Sequence, residues 1–172
     1  EGHLSDEELE NVYDGSPAET ALSSKLGFDY NYYTCFHTAS ALLPGFEREV
    51  LEVLPDGSRK VRNHEGAIVI EKDDAGSIPA EVGHLLTDRA SWEEHYLPKL
   101  TYSEDRIDFA RLERLKAEGW EIPLGLHCGS LFGNIRNWLG MVGVSYLYMD
   151  DEDLYTEIID TVGNLCYRLA ER

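Results

Sequence analysis

Leu154, Ile158, Ile159, Val162, Leu165, Cys166 and Leu169 recur at helical spacing, the pattern of a helix that buries one face. Acids at 150–152 suit the positive end of a helix dipole, so this helix is expected to start there. Ile107, Phe109, Ala110, Leu112 and Leu115 make a second apolar stripe, with Ser103 as the expected N-cap and Gly119 as the stop. A helix capped by Asp88 is expected to carry Trp92, Tyr96 and Leu97 and to end near Pro98. Further helices are expected over 132–139, over 18–25 before Gly27, and over 4–10. In the last of these, Ser5 and Glu8 have capping-box spacing.

The strand pattern is of two kinds. The aromatic run 28–36 and the apolar run Ile122-Pro123-Leu124-Gly125-Leu126-His127-Cys128 look like strands, the second buried on both faces. Between 47 and 72 the pattern is different. Two β-branched runs and an alternating one are separated by Pro55-Asp56-Gly57 and by Gly66, which predicts a small antiparallel meander, polar on one face. Helices are expected to return after Pro79.

Alternation of helices with an apolar strand predicts βα units and a parallel sheet. A whole (β/α)₈ barrel takes about 250 residues, whereas this chain has 172 and only two or three runs that suit barrel strands. The expectation is a single domain over 1–172 that is part of a barrel, with 47–72 as an insertion. Glu1 in place of an initiator Met, and an apolar stripe still running near Arg172, give the further expectation that the parent chain extends in both directions.

Fifteen Lys and Arg against thirty-three Asp and Glu give a formal charge of −18. Nucleic acids and anionic membranes are bound by neutralising phosphate with cations, so neither is an expected partner. Apolar runs stay well short of the roughly 20 residues that span a bilayer. Cys35, Cys128 and Cys166 are odd in number and contain no Cys-x-x-Cys pair, and the opening residues are acidic and polar. Reduced thiols and a cytoplasmic location are therefore expected.

Several stretches, in this order, resemble the uroporphyrinogen decarboxylase superfamily. Leu26-Gly27-Phe28-Asp29 is similar to its early strand entry, and Phe46-Glu47-Arg48-Glu49-Val50-Leu51 with His64-Glu65-Gly66 to an insertion in many decarboxylase-like members. Leu86-Thr87-Asp88-Arg89-Ala90-Ser91-Trp92-Glu93-Glu94 resembles the segment entering its "W-E" helix. The segment 123–133, with Gly129-Ser130-Leu131-Phe132, resembles the strand and glycine turn before the substrate-facing loop, and 150–168 the helix after it. The resemblance implies a TIM (β/α)₈ barrel, present here in part, with a site at the C-terminal ends of its strands. It departs from true decarboxylases in three places. The arginine-rich N-terminal motif has no counterpart, Phe36 and His37 stand near the position of the essential aspartate, and Asn137 or Trp138 near that of the tyrosine.

Candidate chemistry lies on the expected rim. His37 follows the early strand and His127 ends the apolar one, so each is a candidate catalytic imidazole able to move a proton, or else a packed or surface histidine. His127 and Cys128 are adjacent and point to opposite faces of a strand, which does not suit one shared metal. Ser130 and Asn134 at a helix start are candidate substrate-binding groups, or simply caps. Phe132 and Trp138 are candidates for lining an apolar pocket or for core packing, and Arg136 is the one nearby cation. The acids 150–153 resemble a metal cluster, but an acidic helix start accounts for them.

Two reactions follow from the resemblance. Corrinoid-linked methyl transfer would use a corrinoid-protein or small-molecule substrate, and in the family usually a zinc ion. Decarboxylation of uroporphyrinogen needs no cofactor but requires a cationic cleft. The missing arginine motif and the acidic balance favour the first. A non-catalytic barrel that binds partners, and a homo-oligomer, are the other expectations carried forward.

Overall fold

In the segment 47–72, β-branched residues alternate with charged ones and turn residues fall at regular intervals, which favours short antiparallel strands. The computed structural model describes residues 16–28, 36–72, 79–119 and 131–172. Strands β1 (Glu49–Val53), β2 (Arg59–Arg62), β3 (Ala67–Glu71) and β4 (Ala80–His84) form one sheet in the order β1-β2-β3-β4, antiparallel throughout. Val50 pairs with Val61 and Val61 with Val69. Val61, Ala67 and Val69 are buried, while every residue of β1 is exposed.

Side chains close the two tight turns. At the first, Asp56 Oδ1 accepts from the Ser58 amide (3.1 Å) and hydroxyl (2.6 Å), which holds its carboxyl below the usual range. At the second, Asn63 Oδ1 accepts from the amides of Glu65 and Ala67, both at 3.0 Å. Gly57 and Gly66 supply the left-handed backbone, with φ of 85° and 88°. The meander expected over 47–72 is present. Beyond it, however, the chain adds β4 where helices were expected after Pro79. Ala80-Glu81-Val82-Gly83-His84 has a single large apolar residue, and that residue is exposed, so pairing to β3 rather than burial holds this edge strand.

The described residues form a mixed α/β protein in two compact units. The first contains α1 (Pro17–Lys25). Ser16 caps it by accepting from the Glu19 amide (3.1 Å), and Gly27 ends it at φ 74°. The same unit holds Phe36, His37 and the stripe that begins at Ile107. Arg111 lies 5.8 Å over the Phe36 ring.

Among the described residues the second unit carries the sheet and three α-helices. Asp88 caps α2 (Arg89–Ser91) through a capping box with Ser91, and the chain continues as a wide turn over Trp92–Tyr96 and a tight one over Leu97–Leu100. In the first unit, α3 (Phe109–Ala117) is capped by Asp108, which accepts from the Arg111 amide at 2.8 Å. The expected cap, Ser103, instead precedes a separate turn, Glu104–Arg106. Asp108 is a strong capping residue directly before Phe109, and it displaces Ser103 in that role.

Helices α4 (Leu131–Asp150) and α5 (Glu152–Ala170) pack together, and α4 also lies on β3 and β4. Asp151 caps α5 through the Leu154 amide (2.9 Å), so the acidic run 150–153 serves a helix start. Six of the seven stripe residues, Leu154, Ile158, Val162, Leu165, Cys166 and Leu169, are buried, and Ile159 at the edge of the stripe is half-buried. Between the helices and the sheet sit Trp92, Tyr96 and Trp138, whose ring centroids lie 5.5–6.4 Å apart. Trp138 is therefore a core residue. The 132–139 helix is present but runs on past Gly140, because Val144 beyond the break again has a buried position to fill.

Arg106 ties this unit together without a carboxylate. Its buried guanidinium donates to the carbonyls of Thr101 (2.9 Å), Ala39 (2.7 Å), Ala41 (2.8 Å) and Lys99. Burial lowers its pKa, and four carbonyl dipoles stand in for a counter-charge. The two runs expected as barrel strands, 28–36 and 122–128, lie outside the described residues apart from Phe28 and Phe36, as does the 4–10 helix. Among the described residues no helix is long and apolar enough to cross a membrane.

Candidate functional site

A glycine breaks α4 where it passes β4. Gly140 has φ 67° and ψ 167°, a conformation essentially confined to glycine. A Cβ there would lie 2.6 Å from His84 Nε2, so the missing side chain is also what lets the imidazole sit against the break. His84 is the last residue of β4, and its side chain is 17% exposed. Its Nδ1 is buried with no hydrogen-bond partner among the described residues, and its Nε2 stands 3.9 Å from Glu81 Oε2. An imidazole with an uncommitted ring nitrogen beside a carboxylate is equipped to accept, hold and return a proton.

This histidine opens onto a groove of about 680 Å³ between β4, the start of α2 and the second half of α4. The volume is in the range of sites for small organic molecules. Leu86, Leu139, Leu147 and Leu154 form its walls, and Val82, Met141, Val142 and Tyr146 its lips. Glu81, Asp88, Asp150 and Asp151 supply four carboxylates against one cation, Arg89.

Arg89 is already engaged. It donates to Glu157 Oε2 at 2.7 Å and has Asp151 and Glu93 at 3.8 Å, contacts that raise its pKa. Glu157 also accepts from Trp92 Nε1 at 3.0 Å, and the two donors hold its carboxyl below the usual range. Asp88 is held low as well, by the Ser91 amide and hydroxyl in the capping box. The groove is apolar inside and negative at its rim.

The residues singled out from the sequence fall elsewhere. His37 is partly buried in the first unit, and His127 and Ser130 lie outside the described residues. Phe132 and Arg136 are exposed on the first half of α4, and Asn134 on that half is partly buried. Arg136 donates to Asn137 Oδ1 (2.9 and 3.3 Å), and Asn137 Nδ2 to Glu65 Oε1 (3.1 Å), so this arginine is held on its own helix. None of the four lines the groove. His84, Glu81 and Gly140 carry no motif spacing. The one available signal was a glycine interrupting an otherwise helical apolar run.

Among the described residues no three His, Cys, Asp or Glu side chains are placed to hold a metal ion. Cys166 is buried in α5, and Cys35, His127 and Cys128 lie outside the described residues. The described side chains therefore do not fit a zinc ion, and no chemistry is assigned to one.

No family model, curated protein or solved structure matches the chain.

Proposed function

We propose that this chain is part of a cytoplasmic (β/α)₈ barrel enzyme of the uroporphyrinogen decarboxylase superfamily that carries out corrinoid-linked methyl transfer rather than porphyrinogen decarboxylation. The ordered run of similar stretches supports the family. The observation that carries the choice of reaction is the charge of the groove: four carboxylates and a single arginine already committed to Glu157 and Asp151. A porphyrinogen polycarboxylate needs several free cations. Each charge-assisted hydrogen bond contributes only about 1.5–3 kcal/mol, and stripping water from a carboxylate costs several. The negative rim also slows the arrival of a polyanion.

In this reading His84 is the proton-handling group of the groove. A methyl acceptor that carries a proton must lose it as the new bond forms, and the His84 imidazole, which lines the groove, is the base placed to take it. His37 and His127 are the imidazoles assigned to the barrel rim, with Ser130, Phe132, Asn134 and Arg136 near the expected glycine turn. The corrinoid is substrate, brought by its carrier.

The test is turnover of uroporphyrinogen by the complete gene product, followed by chromatography of the oxidised porphyrins. Unchanged substrate is expected. Conversion to coproporphyrinogen at an ordinary enzymatic rate would return the decarboxylase reading. Failure with both uroporphyrinogen and methylcobalamin would favour a non-catalytic barrel that binds through its rim.

A further inference from the structure

Both methionines of the chain, Met141 and Met149, stand on the second half of α4, and they are 57% and 77% exposed. Val142, Tyr146 and Tyr148 accompany them, also exposed, so two turns of one helix present apolar side chains to solvent. At 1.5 Å per residue this face is about 12 Å long. It continues into the groove at one side, where Val82 forms the opposite lip. Carboxylates border it: Glu81 on β4, and Asp150 and Asp151 at the end of α4. Arg89 offsets Asp151 in part, at 3.8 Å, but has Glu157 as its nearest partner, which leaves Glu81 and Asp150 in excess.

We propose that Val82, Met141, Val142, Tyr146 and Met149 form a docking surface for a basic amphipathic helix of a partner protein. Shape and charge together select this occupant. An apolar groove prolonged along a helix accepts the anchor residues of an amphipathic helix, which recur every three to four positions. Methionine suits the role, since its unbranched, polarisable side chain adapts to whatever anchor enters. The acidic border selects Lys and Arg beside those anchors and repels an acidic helix, and on a chain of charge −18 it speeds the encounter. A small ligand would fill the groove but leave Tyr148 and Met149 uncovered. The surface does not depend on which reaction the enzyme performs, so its test reads binding alone.

The probe is a synthetic Leu/Lys amphipathic helix, titrated by calorimetry against the full chain, with its Leu/Glu counterpart as comparison. The Leu/Lys peptide is expected to bind in the micromolar range and to weaken as salt rises, and the Leu/Glu peptide to show no binding. Met141→Ser combined with Met149→Ser should weaken binding about tenfold, and Glu81→Gln with Asp150→Asn should flatten the salt dependence. Glu113→Gln with Glu118→Gln, acids on and just after α3, should change neither. These positions are exposed, so thermal melts of the variants should overlay the parent. Equal binding of both peptides, loss of affinity from the Glu113 and Glu118 pair, or full affinity in the methionine variant would each overturn the proposal. So would concentration-dependent dimerisation abolished by the methionine changes, since the occupant would then be a second copy.

Discussion

Gly66→Ala tests how tightly the aromatic core is closed. Gly66 has φ 88°, and a Cβ built on it would overlap the Tyr96 hydroxyl and lie 3.1 Å from both Tyr96 Cζ and Phe46 Cε2. Tyr96 cannot retreat. It is fully buried, edge-on to Phe46 at 5.1 Å and packed on Trp92 and Trp138, and its hydroxyl donates to the Glu65 carbonyl at 3.1 Å. A left-handed alanine costs about 1–2 kcal/mol in backbone strain, and forcing a packed core apart typically costs about 1–3 more. The sum, about 2–5 kcal/mol, is a large part of the 5–15 typical of a domain. Gly57→Ala is the matched control, because Gly57 has φ 85° and nothing within 4 Å of its would-be Cβ, so strain of about 1–2 kcal/mol is its only cost. Tyr96→Phe deletes the colliding oxygen, so Gly66→Ala should cost about 1–2 kcal/mol less in that background. Urea unfolding followed by tryptophan fluorescence measures the four variants against the parent. If Gly66→Ala and Gly57→Ala shift the midpoint equally, or the double variant is simply additive, the packing argument fails.

Arg106→Lys should destabilise by about 3 kcal/mol in the same assay, since an ammonium cannot reach four carbonyls arranged for a planar fork. Arg106→Lys unfolding within error of the parent would refute that role. Glu157 has a folded-state pKa below its ordinary 4.5, so its contribution is complete above that value and is lost as the pH falls through the lower one. Glu157→Gln should therefore lower the thermal midpoint at pH 7, with the gap to the parent narrowing as the pH falls below 4.5; a constant gap would show that the carboxylate charge is irrelevant. Gly140→Ala should cost about 2–3 kcal/mol and shift the His84 imidazole resonances, because it strains the break and pushes on Nε2. Unmoved resonances would mean that the ring does not rest on Gly140.

The buried face of α5 could be read directly, because seven apolar positions at helical spacing leave one solution and an acidic start fixes its beginning. The meander was readable for a similar reason, with Asp56-Gly57 and Asn63 through Gly66 carrying their own turn chemistry. Strand β4 was not, because an edge strand is held by backbone pairing and its side chains need show no pattern. The continuation of α4 past Gly140 was hidden because glycine usually ends a helix, whereas here His84 occupies the space a side chain would take. The groove was invisible for a deeper reason. His84 and Gly140 are far apart in sequence, and only the packing of α4 on β4 brings them together.

The most direct test of the proposed reaction is demethylation of methylcobalamin by the complete gene product, followed through loss of its visible absorption band, for the parent and for His84→Gln. The account predicts turnover by the parent and a fall of about a hundredfold or more in kcat for His84→Gln, in line with loss of a proton-transfer group. Full activity in His84→Gln would remove that residue from the mechanism. No demethylation by a folded parent, together with steady conversion of uroporphyrinogen, would contradict the central claim.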